Sequence, residues 1–130
     1  MPSKDDVRRR CLAHENVVED GSYRYRIGSR DFVWPYPERI HPKRPRVTRF
    51  DVFVVWLGTD ADKHALLAGE PDLFFTTDHY NGFPAVLVRL DTISEDRLVE
   101  LIADSIAAAT DDVARPCRRR SRTQGGSSEE

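Results

Sequence analysis

Residues 47–57 read VTRFDVFVVWL, a run dominated by β-branched and aromatic side chains. Such residues suit a pleated backbone and lose rotamer freedom in a helix. Alternation places Thr48, Phe50, Val52, Val54 and Trp56 on one face. Val47, Arg49, Asp51, Phe53 and Val55 fall on the other, which is partly polar. The longest unbroken apolar stretch, Val52 to Leu57, is far too short to span a bilayer. A strand this apolar requires a sheet around it.

The flanking segments supply one. SYRYRI alternates strictly, with Tyr23, Tyr25 and Ile27 on one face and Arg24 and Arg26 on the other. Gly28-Ser29 is a turn, and DFVW starts a second strand. Four prolines then interrupt PYPERIHPKRP, which predicts a loop or a ragged edge. Phe74 and Phe75 make a short strand. In PAVLVRLD, Val86, Val88 and Leu90 point inward, and Leu87 and Arg89 outward.

Three helices complete the order. Ser3 and Asp6 resemble a capping box that opens a helix over about residues 4–17, whose apolar positions are Val7, Cys11 and Val18. DADKHALLAGEPD predicts a short helix capped at Asp60 and stopped by Gly69 and Pro71. Ser94 caps the last helix, with Ile93 and Leu98 as a hydrophobic staple. Leu98, Leu101, Ile102, Ser105, Ile106 and Ala109 then repeat at helical spacing, so one face is buried.

The order α-β-β-β-α-β-β-α, with short turns between strands, predicts a two-layer α+β domain. Its sheet has about five antiparallel strands with helices packed on it. The 130-residue chain suits one domain, assigned to residues 1–111. Residues 112–130, including RPCRRRSRTQGGSSEE, lose periodicity and read as a disordered basic and polar tail.

Charge is segregated along the chain. Residues 22–49 carry eight basic and two acidic side chains, whereas residues 58–114 carry three basic and twelve acidic ones. The basic set is Arg24, Arg26, Arg39, Lys43, Arg44, Arg46 and Arg49 on or between strands, an arrangement able to neutralise phosphates. The sequence pI of about 6.1 lies well below that of dedicated nucleic-acid domains. Only Cys11 and Cys117 occur, which form no disulfide framework, and the first ten residues lack a signal-peptide core. A cytoplasmic, monomeric protein with no membrane association is expected.

The stretch TTDHYNG offers an acid, an imidazole and a phenol. Yet it lacks a nucleophile elbow, a phosphate loop or a dinucleotide glycine pattern. His14, His41, His64 and His79 stand at no metal-ligand spacing, so neither metal nor cofactor is expected. Asn81-Gly82 favours a tight turn, and Asp78, Thr76 and Thr77 are residues that hydrogen-bond local backbone. Bracing of a loop therefore accounts for these residues better than catalysis does. The competing reading is a small-molecule or protein site, or an enzyme's, built on Thr77, His79 and Tyr80.

Residues 66–105, LLAGEPDLFFTTDHYNGFPAVLVRLDTISEDRLVELIADS, resemble the C-terminal half of the MmcQ/YjbR family. The matching core is Phe74, Phe75, Thr76, Thr77, His79, Tyr80, Gly82, Phe83, Pro84 and Val86 to Leu90. SYRYRIGSRDFVW is similar to the family's early hairpin, and members often carry proline where Asp78 stands. The resemblance implies a YjbR-like α+β domain, non-enzymatic, with paired hairpins of double-wing type and double-stranded DNA as partner. It also makes Thr76, Thr77, His79, Tyr80, Gly82 and Pro84 a signature loop whose residues first serve the fold.

Overall fold

The structure is a computed structural model that describes residues 2–38, 43, 45, 47–77 and 80–114. The elements are α1 (Lys4–Leu12), β1 (Val18–Glu19), β2 (Tyr25–Ile27), β3 (Arg30–Glu38) and β4 (Val47–Trp56). They continue as α2 (Asp60–Gly69), β5 (Phe74–Phe75), β6 (Ala85–Arg89) and α3 (Glu95–Ala114). The strands form one antiparallel sheet in the order β1-β2-β3-β4-β6-β5. The α+β architecture follows the sequence, but the sheet has six strands where about five were expected.

The sixth strand comes from a shorter α1. Beyond Leu12 no side chain reaches the core until Val17, and the Val17 N–H donates to the His14 carbonyl as the chain turns back. Arg8 then forks onto Glu19 with two bonds of 3.0 Å, pinning β1 beside α1. Val18, expected on the buried face of the helix, is 51% exposed. The start is as expected: the Asp6 carboxylate accepts from the Ser3 N–H at 2.8 Å.

α3 lies across β2, β3 and β4 on the inner face of the sheet. Leu98, Leu101, Ile102, Ile106 and Ala109 meet Tyr25, Phe32, Phe53, Val55, Val86 and Val88 there, joined by Val7 and Cys11 of α1. Each such aliphatic side chain contributes roughly 1.5–3 kcal/mol by leaving water. Ser105 interrupts the apolar stripe without cost, because its hydroxyl donates to the Trp56 carbonyl at 2.6 Å. The helix starts at the expected cap, with the Arg97 N–H on Ser94 Oγ at 3.1 Å. It ends later than expected. Asp112 is still helical and pairs with Arg30 at 3.1 Å, and Val113 packs where Gly28 has no side chain, so the domain runs to Ala114. Residues 115–130, the remainder of the expected tail, lie outside the described residues.

Two strand readings are corrected. Pro35 and Pro37 lie within β3 rather than in a loop. β2 pairs only as far as Val33, so both prolines fall where β3 is an edge and a missing N–H is tolerated. The facing of β4 also differs. Pro35 pairs with Phe53 but Tyr36 pairs with Arg49, leaving Phe50, Asp51 and Val52 as a three-residue bulge. An odd excess reverses the facing of the strand. Phe53 and Val55 point inward, while Arg49 turns outward to Glu38 instead of sharing their face.

The outer face is therefore not simply solvated. Val52, Val54, Ala85, Leu87 and Tyr80 form a second buried cluster, flanked by Trp34, Tyr36, Phe75 and Phe83. Leu87 points outward as expected and is fully covered by this cluster. α2 begins one residue earlier than its expected cap implies: Thr59, not Asp60, is the N-cap, and its side chain accepts from the Asp62 N–H at 3.2 Å.

Candidate nucleic-acid interface

Arg24, Arg26 and Arg49 do share the outer side of the sheet, but each has an acidic neighbour. Arg24 lies 3.7 Å from Asp31, and Arg26 lies 3.6 Å from Asp20. Both distances are long for charge-assisted bonds, and these side chains are largely open to water, so the pairs are worth little. Arg49 is bound differently. It donates to Asp51 at 2.6 and 2.9 Å and to Glu38 at 2.8 Å. Asp51 and then Glu38 raise the guanidinium's pKa, and Arg49 holds the Asp51 carboxyl below its usual range. Lys43 is exposed in the segment that joins β3 to β4. Arg39, Arg44 and Arg46 belong to the same segment and lie outside the described residues.

Part of the acidic half faces the other way, although Asp91, with Glu38 and Asp51, lines an outer cleft. Asp62, Asp104, Asp111 and Asp112 line clefts of α2 and α3, in the helical layer behind the sheet. A polyanion approaching the outer face would meet Arg24 and Arg26 with that layer shielded.

The signature loop abuts this same face. Tyr80 is buried and its hydroxyl accepts from Trp34 Nε1 at 3.3 Å. The carbonyls of Tyr80 and Phe83 accept from Lys63 Nζ at 2.6 and 2.7 Å, which fastens the loop to α2. Gly82 takes φ +77°, a backbone that suits glycine. The Pro84 carbonyl accepts from the Leu57 N–H at 2.7 Å. Thr76 Oγ1 reaches only the neighbouring Thr77 carbonyl at 3.5 Å, and Thr77 Oγ1 is buried with no hydrogen-bond partner. Asp78 and His79 lie outside the described residues. The loop side chains are thus divided between fold and face: Tyr80 and Gly82 shape the turn, and Thr77 lines an outer cleft.

Sequence reasoning missed Lys63, whose side chain is 3% exposed although its helical position reads as polar surface. It also left Arg89 without a role. Arg89 stacks on Phe75, with its guanidinium carbon 4.2 Å from the ring centre, and has no carboxylate partner among the described residues. The alternation of Trp34 and Tyr36 was a usable signal for the aromatic face, obscured by the prolines between and after them. Among the described residues no group of His, Cys, Asp or Glu could hold a metal ion, and no helix is long and apolar enough to cross a membrane.

No family model and no solved structure matches the chain. Uncharacterized proteins of mycobacteria do: Rv2570 and MT2646 of Mycobacterium tuberculosis and Mb2600 of Mycobacterium bovis are each 35% identical to it over 112 residues. The alignments cover 81% of this chain and 86% of each relative, so they span the domain rather than a local motif. The chain belongs to the family of these mycobacterial proteins.

Proposed function

We propose that the chain is a nucleic-acid-binding module of the MmcQ/YjbR type, acting by binding rather than catalysis, as a monomer in the cytoplasm. The observation that carries this reading is the gathering of basic residues on and beside the outer face, with a cluster of aspartates in the helical layer behind it. The segment joining β3 to β4 contains Arg39, Lys43, Arg44 and Arg46, and the adjoining outer face presents Arg24 and Arg26. Asp62, Asp104, Asp111 and Asp112 line clefts of the helical layer behind it. A hairpin with a basic tip is the shape that lets a wing straddle a groove and neutralise phosphates on both sides.

The test is fluorescence anisotropy of labelled duplex DNA with the full chain and with Lys43, Arg44 and Arg46 together changed to alanine. Engagement of six phosphates makes log affinity fall against log salt with a slope of about −5. The triple variant should weaken binding and flatten that slope. Duplex binding that ignores salt, or that the triple variant leaves untouched, overturns the hairpin as the site.

A further inference from the structure

The aromatic side chains of the two sheet faces are treated differently by the fold. On the inner face Tyr25, Phe32, Phe53 and Phe74 are sealed at 0–2% exposure. On the outer face Trp34, Tyr36, Phe75 and Phe83 are only half-buried. They edge two open clefts of about 390 Å³ each. One cleft brings Arg24 together with Trp34, Tyr80 and Phe83, and the other brings Arg89 and Arg49 together with Tyr36 and Phe75, with Glu38, Asp51 and Asp91 also in its wall. In each, a guanidinium lies over an aromatic ring: Arg24 at 6.0 Å from Trp34 and Arg89 at 4.2 Å from Phe75.

Interleaved arginines and half-exposed rings on an open sheet are chemically mismatched to a duplex. Base pairs in B-form DNA are stacked inside, so flat aromatic surfaces meet only sugar and phosphate. Unpaired strands offer free π-faces that stack on aromatic side chains and on arginine planes. The cation supply argues the same way. Arg49 is held by two carboxylates, which leaves Arg24, Arg26 and Arg89 as the described arginines of this face able to meet phosphates. Arg89 makes only a long contact of 3.4 Å to the Asp72 carbonyl. Three cations are few for a duplex footprint and sufficient where stacking supplies the rest.

We infer that the outer sheet face is a stacking platform for single-stranded nucleic acid, with Trp34 and Phe75 as its base-contacting rings and Arg24 and Arg89 on the adjoining phosphates. This rests on the nucleic-acid-binding reading and narrows it from a groove-straddling hairpin to a strand laid across the sheet.

Anisotropy titrations of the full chain compare labelled oligothymidylate of about 12 nucleotides, within the span of known single-strand sites, with a duplex of equal length. The single strand should bind at least tenfold more tightly. Its salt slope should be only about −2, from roughly −0.7 for each of three phosphates. Trp34→Leu and Phe75→Leu should each weaken it roughly tenfold or more, the effect of losing one stacked base. A thermal melt of each variant identifies any that fails to fold, and Tyr36→Leu then takes its place. Duplex binding equal to or tighter than single-strand binding overturns the inference while leaving the broader reading standing. So does single-strand binding that both folded leucine variants retain in full. Binding to neither nucleic acid removes both.

Discussion

Lys63 Nζ sits 2.6 Å from the Tyr80 carbonyl, a buried ammonium on α2 clasping a loop seventeen residues further along the chain. A second bond of 2.7 Å to the Phe83 carbonyl makes the clasp bidentate. Burial lowers the pKa of the amine, against a smaller opposing pull from the Asp60 carboxylate. The position of Tyr80, and through its hydroxyl the edge of Trp34, therefore depends on a helix that contributes little else to the outer face.

Replacing Lys63 with methionine keeps the aliphatic stem but strands two carbonyls. An unsatisfied buried acceptor costs about 1–3 kcal/mol, so Lys63→Met should destabilise the domain by about 2–4 kcal/mol in urea unfolding. A loss below about 0.5 kcal/mol would mean that water or another donor reaches both carbonyls freely.

Acid should loosen the contact between α2 and α3 early. Arg97 forks onto Glu70 at 3.0 and 2.7 Å, and this pairing holds the Glu70 carboxyl below its ordinary 4.5. A carboxyl whose folded pKa lies below its unfolded one stabilises the fold fully above the unfolded value and loses that contribution as pH falls through the folded one. Glu19 beside Arg8 and Asp51 beside Arg49 act with the same sign. Urea midpoints should therefore be level above about pH 5 and decline below it. Glu70→Gln should start lower and decline less. An unchanged acid limb in Glu70→Gln would show that the pair is matched by equal interactions in the unfolded chain.

Neutralising the acids that face Arg24 and Arg26 should strengthen nucleic-acid binding. Asp31→Asn and Asp20→Asn release guanidinium groups whose ion pairs are 3.7 and 3.6 Å long, at almost no cost in stability. The double variant should bind several-fold more tightly at low salt, with a steeper salt dependence. Anisotropy curves that superimpose on wild type would place the contact away from β2.

Cys11 should be chemically silent in the native state. Its thiol is fully buried, and desolvation, followed by the nearby Glu19 carboxylate, raises its pKa far out of the reactive range. In a Cys117→Ser background, iodoacetamide should label the chain only in denaturant. Rapid native labelling would mean that α1 detaches from the core on the timescale of the reaction.

Legibility in the sequence followed the reach of each signal. α3 could be read nearly in full, because a cap, a staple and a six-position stripe are all local in sequence. The helical period of α1 extends to Val18, and only the distant pairing of Arg8 with Glu19 shows why the chain turns first. β3 was truncated because proline forbids a central strand but not an open edge, and which edge stays open depends on the length of β2. Alternation puts Arg49 on the side of Phe53 because it assumes an unbroken strand. Lys63 was invisible because its bond partners are main-chain carbonyls, which no side-chain pattern encodes. The arginines were found, but not their carboxylate neighbours across the strands.

The bulge between Phe53 and Arg49 has a consequence for how such a domain can change. Everything inward of it is indexed to α3 through Phe53 and Val55, where a one-residue slip would turn the core inside out. The described residues beyond it, Tyr36 to Glu38 and Val47 to Arg49, pair in a short ladder of their own, with Tyr36 also packed beside the Tyr80 ring. That outer half of the ribbon works as an exchangeable blade on a fixed handle. Its length and charge can drift between descendants, or be swapped by grafting, with no correction demanded of the core.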